Sequence, residues 1–202
     1  MTGLGLKMSD LRQQILFTAK NLFIQQGYHG LSMRQIAEAL GVSKAALYYH
    51  FRDKEELFLA ILDSYLDEIE AELQRIQLEQ VGARQRIRAM VEMILLQPAE
   101  QRAVIRLSSQ EMAQLSQPAR QAFDRAYHRK FIDRIRAILQ EGMQSGELRP
   151  VNPTLAAWAL LGMLYPYFYP AHSSDLQPPV EVAEYLVSIF MDGMAQSPGS
   201  EL

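Results

Sequence analysis

Apolar residues recur every three to four positions along most of the chain, which is the spacing of amphipathic α-helices. This spacing predicts a first helix from Ser9 and Asp10 to Gly27 and a long helix from Asp53 to about Glu79. Further helices are predicted from beyond Gly82 to about Gln97, from about Ala99 to Leu115, from Pro118 to about Gln144, from Asn152 to about Phe168, and from Val180 to about Ala195. No stretch alternates with the period of a β-strand. The expected fold class is all-α, with about nine helices and a disordered tail from about residue 196.

Two short helices and a glycine turn are predicted between Leu31 and Leu57. Ser32 is a favourable N-cap residue, and Gln35 three positions later completes the spacing of a capping box. Gly41 stands where a left-handed residue ends a helix, and Ser43 is placed to cap the next one. Asp53 with Glu56 repeats the capping-box spacing and opens a third helix. The arrangement is that of a helix-turn-helix.

The second short helix carries an unusual set of polar residues. Leu47 and Phe51 fall on its inner face, which leaves Lys44 and two tyrosines among the free positions. No acidic residue occurs between Ser43 and Arg52. Helix-glycine-helix segments also serve ordinary packing, but a face that is only solvated usually carries mixed Glu and Lys. Lysine, tyrosine and histidine bind phosphate, and alanine permits close approach to bases, so this face favours DNA.

The segment from Ile15 to Leu62, including FIQQGYHGLSMRQIA and GVSKAALYYHF, resembles the DNA-binding domain of the tetracycline-repressor (TetR/AcrR) family. The resemblance implies a three-helix DNA-binding domain over residues 1–53 and a helical effector-binding and dimerisation domain over residues 54–202. Ser32 and Lys54 are implied to hold phosphate, and Arg34 a base or phosphate. The complete set of implied DNA contacts is Ser32, Arg34, Ser43, Lys44, Ala45, Ala46, Tyr48, Tyr49, His50 and Lys54. Because Ala45 and Ala46 offer no side-chain hydrogen bonds, DNA shape and methyl contacts are expected to contribute to specificity.

The net charge of −3 does not by itself suggest a DNA-binding protein. Residues 1–57 hold seven basic and five acidic residues, however, so this part carries +2 and the remainder −5. Only the N-terminal part is therefore expected to face the duplex. Such a modest positive charge neutralises few phosphates, and two copies of the chain are expected to be needed.

Other classes of protein have little support. The absence of cysteine excludes disulfides, thiol nucleophiles and cysteine metal sites, and the four histidines have no metal-site spacing. No nucleophile elbow or phosphate loop is present, so neither an enzyme nor a cofactor is expected. No apolar run approaches the roughly 18 residues of a membrane span, and no secretory signal pattern is seen. A cytoplasmic protein is expected.

The C-terminal part leaves two interpretations open. Its methionines and aromatic residues are either plain core or the lining of a site for a small hydrophobic or aromatic effector, which the resemblance favours. The candidates for this lining are Met93, Met112, Phe123, Tyr127, Trp158 and Tyr165. The last two helices either complete the core or form the dimer interface that the resemblance implies, through Leu161, Leu164, Leu186, Phe190 and Met194.

The function expected from these observations is a homodimeric repressor that binds a palindromic operator and is released by its effector. The alternative is a DNA-binding regulator without a small-molecule effector, whose C-terminal part serves dimerisation or recruits a protein partner.

Overall fold

A computed structural model describes residues 3–168 and 179–194. The helices are α1 (Gly3–Gln26), α2 (Met33–Leu40), α3 (Lys44–His50), α4 (Lys54–Glu79), α5 (Ala83–Leu95), α6 (Ala99–Glu111), α7 (Gln117–Tyr127), α8 (Asp133–Gln144), α9 (Pro153–Leu164) and α10 (Pro179–Met194). Short 3-10 turns follow α6 (Met112–Gln114) and α9 (Tyr165–Phe168). The described residues form no β-strand. The predicted tail from 196 lies outside them.

Most predicted helices are confirmed within one or two residues. The helix predicted from Pro118 to Gln144 is continuous, but its middle, His128–Ile132, winds as a π-helical turn between α7 and α8. If α7, the π-helical turn and α8 are counted as one continuous helix, the described residues contain nine helices. The start predicted at Ser9 and Asp10 is wrong, because α1 already begins at Gly3. No proline interrupts residues 3–8, so the helix extends upstream of its capping signal.

The chain divides into two compact units. Unit 1 comprises Met1–Tyr65 and Ala103–Arg125, and unit 2 comprises Leu66–Arg102 and Ala126–Leu202. These units do not coincide with the division after residue 53, because residues 103–125 pack with the N-terminal helices. The division into functional domains therefore stays a prediction, while the structural division places parts of α4, α6 and α7 in unit 1.

Unit 1 is built around a buried aromatic group. The Phe23 ring stacks on that of Tyr28 with 5.9 Å between centroids, and Phe58 meets each of them edge-on at 5.2 Å. Ile15, Ala19 and Phe23 form the buried stripe of α1, and all three are fully buried. Because α1, α4 and the loop after α1 share this core, the position of the motif helices depends on all three.

Unit 2 packs α10 against α5, and α8 against both α5 and α9. Two ion pairs also join α4 to the π-helical turn and α8: Lys130 to Asp67 at 2.5 Å and Arg134 to Glu70 at 2.6 Å. Among the described helices, none is both long and apolar enough to cross a membrane.

Gly142 of α8 packs closely against Ala83, the first residue of α5. A Cβ atom added there would lie 2.5 Å from the Ala83 Cβ and 2.8 Å from the Leu148 Cδ1. We expect Gly142→Ala to lower the free energy of unfolding by about 1 to 2 kcal/mol, because the cost of overpacking exceeds the gain in helix propensity. Denaturant unfolding measures this. Gly193→Ala, where nothing lies within 4 Å, is the control and should be neutral or stabilising; equal effects would contradict the explanation.

Candidate nucleic-acid interface

The first motif helix, α2, is capped at both ends as its sequence predicts. The Ser32 hydroxyl accepts a hydrogen bond from the Gln35 amide, and the Gln35 side chain accepts one from the Ser32 amide, which completes the capping box. Gly41 has φ 67° and ψ 24°, a left-handed conformation that favours glycine. The amides of Gly41 and Val42 donate to the carbonyls of Glu38 and Ala37 at 3.1 and 3.0 Å, a Schellman motif. These caps set the turn that leads into α3.

The second motif helix, α3, is anchored from its inner face. The Ser43 hydroxyl accepts a hydrogen bond from the Ala46 amide at 3.1 Å. Leu47 and Phe51 are 0% and 1% exposed, which confirms their predicted place in the core. Tyr48 and Tyr49 are 49% and 72% exposed on the opposite side. The helix thus turns its aromatic hydroxyls outward while its leucine and phenylalanine hold it to unit 1.

The residues implied to contact DNA lie on or near this exposed surface. Ser32, Arg34, Ser43, Lys44, Ala45, Tyr48 and Tyr49 are exposed, and Ala46, His50 and Lys54 are partly buried. The Arg34 guanidinium pairs with Glu38 one turn along α2, at 2.9 Å. Their roles toward DNA stay predictions. The caps and ion pair show that Ser32 and Arg34 also stabilise α2 itself.

Lys54 differs from the other predicted phosphate ligands because its ammonium is engaged within unit 1. The Nζ atom donates to the carbonyls of Tyr28 at 2.7 Å and Leu31 at 2.9 Å. It also lies 4.2 Å from the centroid of the Tyr28 ring. Burial lowers the pKa of Lys54 below its ordinary value. The first residue of α4 therefore holds the loop between α1 and α2.

A segment that the sequence assigns to the C-terminal part also contacts this loop. We call residues 111–116 the connector. Glu111 accepts a hydrogen bond from the Tyr28 amide at 3.1 Å, and Gln114 bonds the His29 ring at 2.9 Å. The Ser116 amide and hydroxyl both donate to the Glu55 carboxylate at 2.7 Å. These partners are 61 to 85 residues apart in sequence, so no local pattern could have identified them.

The predicted effector residues do not form one group. Met112 and Phe123 pack against the core of unit 1. In unit 2, the rings of Tyr127 and Trp158 lie 6.4 Å apart, and Tyr127 also meets Phe131 at 5.4 Å. Met93 is partly buried, whereas Trp158 and Tyr165 are 44% and 56% exposed. Tyr127 and Trp158 are the members that the structure brings together.

Three of the predicted dimer residues belong to the core of the single chain. Leu164, Phe190 and Met194 are 0%, 6% and 7% exposed, while Leu161 and Leu186 are partly buried. Helical spacing identified the apolar side of α10 correctly, but that side packs inward. The large exposed apolar residues of these two helices include Leu155 and Trp158, three positions apart on α9, and Tyr185 and Ile189, four positions apart on α10. We call these four residues the exposed apolar face, because each pair lies on one side of its own helix.

Among the described residues, no group of three or more His, Asp or Glu side chains is placed to hold a metal ion.

Two family models match the chain. Residues 15–61 match the bacterial regulatory proteins of the tetR family, and residues 80–167 match the tetracyclin repressor-like C-terminal domain. The chain is also 39% identical over 90 residues to the HTH-type transcriptional activator FasR of Mycolicibacterium smegmatis. This match covers 45% of the chain and 41% of FasR, less than half the length of that relative.

Two solved structures are similar over nearly the whole chain. PfmR of Thermus thermophilus, a TetR family transcriptional regulator, is 30% identical with a TM-score of 0.72, over 90% of this chain and 99% of PfmR. AibR, in complex with isovaleryl coenzyme A and operator DNA, is 29% identical with a TM-score of 0.69, over 88% of this chain and 96% of AibR. The predicted all-α fold with an N-terminal helix-turn-helix is thus confirmed.

Proposed function

Because the chain belongs to the tetR family of bacterial regulatory proteins, which are DNA-binding transcriptional regulators and not enzymes, we propose that it is a homodimeric repressor. It binds a palindromic operator through α2 and α3 and is released by an acyl-coenzyme A. Such a regulator acts in the cytoplasm, where the chromosome lies.

The observation that carries the proposal is the capped helix-turn-helix with its outward aromatic face. Lys44, Tyr48 and Tyr49 project from α3 without an acidic neighbour on that helix. Tyrosine hydroxyls donate to phosphate oxygens, and the small Ala45 permits close approach to base edges and thymine methyl groups. A short helix with this surface suits the major groove.

The exposed apolar face supports the homodimer. Leu155 is 69% exposed, and Tyr185 66% exposed, although both are large and apolar in character. A two-fold axis brings the same surface of two chains together, and so covers this face on both copies. Two recognition helices related by the same axis read two inverted half-sites, which is why the operator is palindromic.

The effector class is suggested by AibR, whose structure contains isovaleryl coenzyme A. In this chain, Tyr127 and Trp158 offer aromatic surface to an acyl group. Burial raises the pKa of Tyr127 to about 12, which indicates that this side chain is largely shielded from water.

In this proposal, α4 transmits the effect of effector binding to the recognition helix α3. This helix is continuous from Lys54 to Glu79, and its second half is paired with Lys130 and Arg134 in unit 2. At its start, Lys54 and Glu55 hold the loop before α2 and the connector in unit 1. An effector that favours another position of the second half of α4 also moves the first half, and thus changes the spacing of two recognition helices.

Operator binding tests the proposed DNA face. We expect Lys44→Ala and Tyr49→Ala each to weaken specific binding about tenfold, or about 1.4 kcal/mol, because each removes a DNA contact from an exposed side chain. Fluorescence polarisation on a fragment selected from random DNA measures the change. Leu78→Ala, an 87% exposed position of α4, is the control. Unchanged affinity in both α3 variants would refute the proposed interface.

The effector is tested on the same DNA complex. Isovaleryl and longer acyl-coenzyme A thioesters are expected to release the DNA and to raise the melting temperature of the protein, whereas free coenzyme A is not. Release by an acyl thioester supports the repressor mechanism. If no thioester affects either measurement while DNA binding is intact, the regulator without a small-molecule effector is favoured.

A further inference from the structure

The basic residues of the N-terminal region are not equally available to DNA. Arg34 pairs with Glu38, and Arg52 pairs with Asp53 at 3.0 Å. Lys54 is occupied by two carbonyl oxygens. The side chains of residues 10–65 are all described. Among them, Arg12, Lys20 and Lys44 have no carboxylate within ion-pair distance, and neither does Lys54. The charge of the DNA face therefore rests on fewer residues than the composition suggests.

Arg12 lies on the inner side of α1 although its own side chain is exposed. It precedes the buried residues Ile15, Ala19 and Phe23 by three, seven and eleven positions, which places it on the same helical face one turn nearer the N-terminus. Its guanidinium carbon lies 5.2 Å from the centroid of the Phe51 ring. Phe51 is the C-cap residue of α3. Arg12 is thus held at the end of the recognition helix, not on the outer surface of α1.

The attraction between a cation and an aromatic ring does not use the N–H donors of a guanidinium. These five donors lie in the plane of the group and can bind a phosphate while the cation stays near the ring. That geometry suits two parallel hydrogen bonds to phosphate oxygens. Because the ring already restricts the side chain, less conformational entropy is lost when a phosphate binds.

We propose that Arg12 is a DNA-phosphate ligand, fixed by Phe51 beside the C-terminal end of α3, so that the DNA interface extends onto α1. The inference rests on the proposed DNA-binding function. It adds a contact outside the helix-turn-helix motif, and the resemblance assigns no DNA contact to α1.

Lys20 provides a matched control on the same helix. Its ammonium lies 5.5 Å from the centroid of the Phe17 ring, and Phe17 is 61% exposed. Phe17 stands away from the buried stripe of Ile15 and Ala19. Lys20 therefore has the same charge, but its aromatic neighbour is the exposed Phe17 of α1 itself and not the C-cap residue of α3.

The salt dependence of operator binding tests the proposal on the full-length protein. Each phosphate that a protein neutralises contributes about 0.9 to the slope of log K against log salt, so Arg12→Gln should reduce the slope by about 1.8 for a dimer. Lys20→Gln should leave the slope unchanged. Arg12→Lys, which retains the charge without the planar group, should keep most of the slope and lose affinity a few-fold.

Other outcomes of the salt-dependence experiment would overturn the proposal for Arg12. A loss of affinity in Arg12→Gln with an unchanged slope would show that Arg12 only supports α3, and would overturn the proposal. Equal changes in the Arg12 and Lys20 variants would also overturn it, since they would reflect overall charge. Circular dichroism of each variant shows whether it is folded, and Arg12→Lys provides the comparison if Arg12→Gln is unstable. If the unsubstituted protein binds no DNA, the proposed function itself fails.

Discussion

Ile189→Asp is expected to convert the dimer into monomers and to weaken operator binding by about 100-fold or more. Ile189 is 47% exposed on α10, within the exposed apolar face. In a symmetric dimer the substitution introduces a carboxylate twice into an apolar interface, where each charge loses its hydration. A monomer has one recognition helix instead of two linked ones, and this loss of bivalent binding lowers the affinity for the operator by about 100-fold to 10,000-fold.

Analytical ultracentrifugation with fluorescence polarisation measures both consequences. Leu78→Asp is the matched control, because it places the same charge at an 87% exposed apolar position on α4. If the Ile189→Asp variant remains dimeric, the exposed apolar face is not the centre of the dimer interface. Monomers that bind the operator with full affinity would instead contradict the need for two copies.

Lys54→Met is expected to lower the free energy of unfolding by about 3 kcal/mol. Methionine keeps most of the aliphatic stem but removes the ammonium that donates to the carbonyls of Tyr28 and Leu31. Hydrogen bonds from a charged group each stabilise a folded protein by about 1.5 to 3 kcal/mol. The substitution also removes the cation from the face of the Tyr28 ring. Thermal and denaturant unfolding measure the loss, and hydrogen exchange at residues 28–32 locates it.

Lys44→Met gives the complementary result. Lys44 is exposed at the first position of α3, so its replacement should leave stability unchanged and reduce the salt slope of DNA binding. Lys54→Met should do the opposite, provided that its slope is measured where the variant is folded. A slope that falls in Lys54→Met without a loss of stability would favour the phosphate contact that the family resemblance implies for Lys54.

Local signals predicted the motif well because its determinants are close together in sequence. Ser32 and Gln35, the glycine at position 41 and the Ser43 cap all act within one helical turn. The buried positions of α3 follow from helical spacing in the same way. Leu164 and Phe190 show the limit of this reasoning. Periodicity identifies the apolar side of a helix, but an apolar side packs as readily against the same chain as against a second copy.

The sequence by itself determined the order of helices, the caps of the motif and the family, because these depend on neighbouring residues and on a long continuous match. Only the tertiary structure decided which cations are free and which are occupied. Lys54 and Arg12 are both basic residues near the motif, yet Lys54 is bound to carbonyls 23 and 26 residues away and Arg12 lies near the ring of Phe51. The physical reason is that hydrogen bonds and ring contacts form between residues that folding brings together, and residue type alone does not specify those partners.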